Sequence, residues 1–190
     1  MFHHKTRASL TLLATSVCLI AINLIPSEAD GNPRALNRRR INALDDDARM
    51  RLNAAMREMR KRGIRPRVNS TFRSNAEQRA LYRCSRNRRC RARRGIYGAK
   101  PPGTSMHEAG LAVDLGGVAT RRRRRRLTPK GRKTVRIMRK HGFNWRYGLK
   151  DPPHFELSPQ RAGYRTEKAA ITAGQRRWRG GNRARRRAKK

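Results

Sequence analysis

Acidic residues are scarce in this chain: 12 Asp and Glu stand against 50 Lys and Arg among 190 residues, a formal charge of +38. That imbalance implies a polyanionic partner, whether nucleic acid, anionic lipid or an anionic cell wall, and does not choose among them. Aromatic residues are few, at 5%. They are not interleaved with the arginines, and Trp178 is the only one in the basic C-terminal stretch. Single-strand nucleic-acid binders need aromatic platforms for stacking, so that class is disfavoured. No amphipathic helix is evident beyond the first 29 residues, which argues against a membrane-lytic protein. There is no internal repeat. Cysteine is rare too: Cys18 lies in the N-terminal apolar run, leaving Cys84 and Cys90. Their short separation, with no histidine nearby, fits a structural disulfide better than a metal site.

One long apolar run is present. Lys5 and Arg7 precede Ala8 to Ile25, and small residues Ser27 and Ala29 follow. A basic start, an apolar middle and small residues at the end form the pattern of a secretory signal, cleaved after Ala29. A retained anchor is the alternative, because 18 apolar residues just span a bilayer; only in that case is the membrane a partner. Either way the expected location of the bulk is outside the cytoplasm, in the periplasm or at the cell wall.

The remainder reads as one α+β domain, a small antiparallel sheet with about three helices over residues 41–165. It is expected to lie between a linker at 30–40 and a disordered basic tail at 166–190. Leu44, Ala48, Leu52, Ala55, Met56 and Met59 recur at helical spacing, with acidic Asp45–Asp47 at the start and Gly63 at the end. Val68, Ser70 and Phe72 alternate with polar residues as in a short strand. Ser74-Asn75-Ala76-Glu77 is a capping box opening a second helix. Residues 84–104 read as a loop and Leu111 to Leu115 as a strand. Arg121 to Arg126, six like charges in a row, reads as an exposed loop. Thr128-Pro129 opens a third helix, and Phe143–Tyr147 and His154–Leu157 have strand composition.

Beyond residue 29 the histidines are His107, His141 and His154. His141 sits in the last turn of its helix, where a cation suits the dipole, and is given no catalytic role. His107 precedes Asp114 by seven residues. Strand alternation turns Leu111 and Val113 to the core and Asp114 to the other face beside small Ala112. A carboxylate in so apolar a strand needs a partner: a metal ion, or simply His107. The helical zinc-protease motif is excluded, since Leu111 stands where its second histidine belongs. His154 supplies a third donor, and a His2Asp set leaves a fourth position for water on zinc. Asp151, across the Pro152-Pro153 corner, is either a turn starter or a base that reaches the metal without binding it. Glu156 either supports a ligand or faces solvent.

Ser105-x-His107-x-x-Gly110-x-Ala112-x-Asp114 and Asp151-x-x-His154-Phe155-Glu156 resemble the paired motifs of VanY-type zinc D-alanyl-D-alanine carboxypeptidases and the related L-alanyl-D-glutamate endopeptidases. Ser70-Thr71-Phe72-Arg73-Ser74, followed by Gln78 and Leu81-Tyr82, is similar to a third family element, with Thr71 in place of the usual glycine. The resemblance spans about residues 41–160. It implies that zinc (Zn2+) is bound by His107, Asp114 and His154, that Asp151 is the catalytic base, and that Arg73 stabilises the developing oxyanion. The implied function is hydrolysis of peptidoglycan stem peptides. Asp151 with Phe155 looks more like the endopeptidase branch, which leaves the scissile bond open. The arginine run and tail lie outside all three motifs; they are expected to hold the enzyme on anionic envelope polymers without entering the chemistry. The alternative is an arginine-rich polyanion- or nucleic-acid-binding protein whose metal site is not catalytic.

Overall fold

A computed structural model describes residues 33–94, 96, 98–120 and 126–188. The expected signal at 1–29 and Arg121 to Arg125 lie outside the described residues. Seven α-helices and a three-stranded antiparallel sheet are described, in the order α1 (Pro33–Asn42), α2 (Asp46–Lys61), β1 (Val68–Ser70), α3 (Asn75–Arg86), α4 (Arg88–Arg94), α5 (Met106–Ala109), β2 (Ala112–Leu115), α6 (Pro129–Lys140), a 3-10 turn (Gly148–Lys150), β3 (His154–Glu156) and α7 (Glu167–Ala188). The α+β class holds. Among the described residues no helix is long and apolar enough to cross a membrane.

Three helices start as their sequences predict. The Asp45 side chain accepts from the Asp47 N–H ahead of α2; Ser74 and Glu77 form the reciprocal box of α3; Thr128 accepts from the Gly131 N–H with Pro129 in the first turn of α6. Each satisfies backbone donors that the helix itself leaves open. The α2 face of Leu52, Ala55 and Met59 packs with Ile137 and Met138 of α6 in the core, beside Leu111, Val113 and Leu115. Full burial of such aliphatic side chains stabilises by roughly 1.5–3 kcal/mol each.

The sheet order is β1-β2-β3, with β2 in the centre. Asp114 lies opposite His154, Val113 opposite Phe155, and Ala112 opposite Glu156. Directly opposed residues share a face. Val113, Leu115 and Phe155 therefore line the apolar face, each at most 1% exposed, while Asp114, His154 and Glu156 share the other. On β1 the register shifts between Val68, opposite Leu115, and Ser70, opposite Asp114. Two steps on β1 match one on β2, so Asn69 is the extra residue of a bulge that sets Ser70 beside Asp114.

Five expectations are corrected. The strand at 68–72 stops at Ser70, because the Thr71 carbonyl and Arg73 N–H turn to His107 instead of a ladder partner. Residues 84–104 are not all loop: α3 runs to Arg86 and α4 follows, joined to it by the Cys84–Cys90 disulfide, Cα atoms 5.2 Å apart. Asn87 makes the break, its N–H donating to Cys84 O and its Oδ1 accepting from the Cys90 N–H at 2.9 Å. Phe143–Tyr147 is not a strand; Asn144 alone bridges to Glu156. The described part of the 166–190 tail is not disordered but forms α7, and 30–40 is not all linker, since α1 begins at Pro33. Ala170, Ile171, Gly174, Gln175 and Trp178 recur at helical spacing on α7, and Ala170 and Ile171 enter the core. Trp178 stacks on Phe72 with centroids 5.1 Å apart, and the Arg39 guanidinium of α1 lies 3.9 Å over its ring.

Candidate active site

β2, β3 and the single turn of α5 bring three donors together. Gly110 ends α5 in the left-handed region at φ 74°, and a Cβ there would meet Ala43 O at 2.9 Å. The turn folds His107 back over the sheet. His107 Nε2 lies 3.4 Å and His154 Nδ1 3.2 Å from Asp114 Oδ1. Donor atoms of the three residues all fall within 4.8 Å of one another.

The nitrogens turned away from this centre are occupied. His107 Nδ1 is 2.6 Å from the Thr71 carbonyl, which can only accept, so that nitrogen carries the proton. His154 Nε2 is 3.1 Å from Glu156 Oε2. Outward partners of this kind orient metal-binding imidazoles and raise their basicity. Each ring thus presents one nitrogen to the cluster, and the set of two imidazoles and one carboxylate is the donor set of an open zinc site. The residues fit the metal.

Electrostatics agree. Burial opposes the Asp114 carboxylate, but the two imidazoles outweigh it and hold its pKa well below the usual range. Burial pushes His107 down, against the opposing pull of Asp114. At His154 burial works downward, yet hydrogen bonds to Asp114 and Glu156 prevail and raise its pKa to about 9.

Arg73 stands close by. Nη1 donates to Gln78 Oε1 at 2.8 Å and Nη2 to Ser70 Oγ at 3.2 Å. Burial lowers its pKa, while the charge of Asp114 favours the cation. Gln78, fully buried, also donates to the Lys100 carbonyl at 2.6 Å. Asp151 is exposed at the end of the 3-10 turn and outside the donor cluster; its carbonyl accepts from the His154 N–H at 3.1 Å. The corner between them is tied down, Trp145 Nε1 donating to Pro152 O at 3.0 Å and Leu115 N–H to Pro153 O at 2.9 Å. His141 is elsewhere, 2.9 Å from Glu58 of α2.

Glu156 is the residue whose role the sequence left open, and the β3 period of two decides it: it shares a face with His154. Glu156→Gln is expected to weaken zinc retention about 10- to 100-fold, read by competition with a chelator. Tyr147, whose ring centroid lies 5.2 Å from that of His154, and Lys100, 5.8 Å from the Tyr147 ring, also escaped the sequence reading. Neither belongs to a motif.

Two imidazoles and one carboxylate make this centre a candidate open zinc site of the His2Asp type. The profile of the VanY family, D-alanyl-D-alanine carboxypeptidase, matches residues 41–159, and the chain belongs to that family. One solved structure similar to it is the vancomycin-resistance D,D-pentapeptidase VanY of a VanB-type cassette, a mutant in complex with Zn(II). It has 22% identity over 69% of this chain and 78% of that one, with a TM-score of 0.42. No curated protein sequence matches significantly.

Proposed function

We propose that this protein is an exported zinc peptidase that hydrolyses the peptide stems of bacterial peptidoglycan. The observation carrying this reading is the centre of His107, Asp114 and His154, with the outward nitrogens of both histidines already engaged. Zinc, when bound by these three residues, supplies a Lewis acid and lowers the pKa of a water molecule. Asp151 takes the proton from the attacking water and returns it to the leaving amine. Arg73 donates to the carbonyl oxygen as negative charge grows there, and its buried site strengthens that interaction.

Removal of a terminal D-alanine is the reaction type best supported, because the family is that of D-alanyl-D-alanine carboxypeptidases. Lys100 and Arg146 near Glu156 offer positive charge to a substrate carboxylate; Arg146 Nη1 is 3.5 Å from Glu156 Oε1. Asp151 paired with Phe155 favours a second reading, cleavage between L-alanine and D-glutamate. Digestion of purified muropeptides with mass spectrometry separates the two: the first releases free D-alanine, the second splits the stem after its first residue. Intact muropeptides after incubation with zinc-loaded protein would sink both and favour the non-catalytic polyanion binder.

Export follows from the apolar run at 8–25 and the small residues before Asp30. Retention at the envelope is assigned to the basic surface, to which α4 contributes five arginines. All five of its arginines are exposed, and no residue of α4 is buried.

A further inference from the structure

We infer that Gln175 is a positioning residue for this reaction: it lies on α7, outside the segment that matches the family, and it fixes the backbone of Arg73. The inference rests on the role of Arg73 proposed above. Gln175 Nε2 donates to the Arg73 carbonyl at 3.2 Å and to the Glu108 carbonyl at 3.1 Å. Its Oε1 accepts from the Asn75 N–H at 3.0 Å. One amide therefore ties the segment carrying Arg73, the first residue of α3 and the turn carrying His107. From its other side, Arg73 is held by its own N–H, which donates to His107 O at 3.0 Å. The backbone of the oxyanion arginine is thus clamped between a metal ligand and α7.

The neighbours of Gln175 make the clamp close-fitting. At Gly174 a Cβ would lie 2.4 Å from Glu108 O and 2.7 Å from Ala109 O, so α7 rests against α5 with no side chain between them. Arg177 Nη2 donates to Ala109 O at 2.7 Å, and Trp178 stacks on Phe72, the residue before Arg73. An arginine aimed at a developing charge acts through placement, and small displacements far from the reacting atoms lower rates steeply.

Two near-isosteric variants test this. Gln175→Glu keeps the acceptor for Asn75 and removes both donated bonds; Gln175→Met removes all three without adding charge. Either should lower kcat on a soluble stem peptide about tenfold, the scale of losing a donor to a buried carbonyl. KM and zinc content should stay unchanged, and Arg176→Ala, an exposed neighbour, should match wild type. In an Arg73→Ala background the same Gln175 changes should cost less than about twofold, because the group they position is gone. An equal tenfold loss in both backgrounds, or a loss matched by lost zinc, would overturn the inference. So would wild-type kcat in both Gln175 variants. Wild-type turnover in Arg73→Ala alone would instead remove the role given to Arg73, a separable failure.

Discussion

Asp151→Asn is expected to lower turnover of a stem peptide about 10²- to 10⁴-fold, the range for removing a general acid–base group, while the protein keeps about one zinc per chain. The substitution preserves shape and removes the capacity to accept a proton. Asp151 lies outside the donor cluster, so metal retention should not follow its charge. Asp114→Asn is the informative contrast. Asp114 Oδ1 faces both imidazoles, and losing its charge should strip zinc as well as activity. Kinetics alongside metal analysis distinguish base from ligand; equal zinc loss in the two variants would mean that the roles are misassigned.

Deletion of residues 175–190 is expected to abolish most activity even on a small soluble peptide, by at least about tenfold in kcat/KM, and to lower the melting temperature. A purely electrostatic tail would leave small-peptide cleavage untouched. The deletion removes Gln175, Arg177 and Trp178, which hold Arg73, Ala109 and Phe72. Each kcal/mol lost should lower Tm by about 2–8 °C for a domain of this size. Circular dichroism would show whether the rest stays folded, and full cleavage of a soluble peptide by the folded deletion would refute the buttress.

The candidate site was legible where chemistry demands a residue type at fixed spacing. His107, Asp114 and His154 could be singled out because histidine is rare here and the strand period assigns Asp114 a face. Their convergence depends on the pairing of Asp114 with His154, a nonlocal fact that only the β2–β3 register supplies. The carbonyl of Thr71 and the backbone of Pro153 leave no side-chain trace in the sequence. Helix starts were readable because Asp45, Ser74 and Thr128 act locally. The helix α7 was missed for an opposite reason: its packed stripe of buried Ala170, Ile171 and Gly174 and half-buried Gln175 and Trp178 is thin, partly polar and surrounded by arginines. Charge density overshadowed a 3.6-residue period that was present.

The pinned helix α4 has a consequence for where this protein can work at full effect. Its five arginines repel one another and bury nothing, and α4 is held to α3 by the bond between Cys84 and Cys90 and by Asn87, which accepts from the Cys90 N–H. In a reducing compartment the charge is the same but its spacing is free to spread. Once oxidised, the guanidinium groups become a lattice of set pitch, able to meet repeated anionic groups together, each with less ordering cost than on a loose chain. If retention on an anionic polymer rests on this surface as proposed, the surroundings would adjust it by setting distances between charges, with no change in how many charges the chain carries.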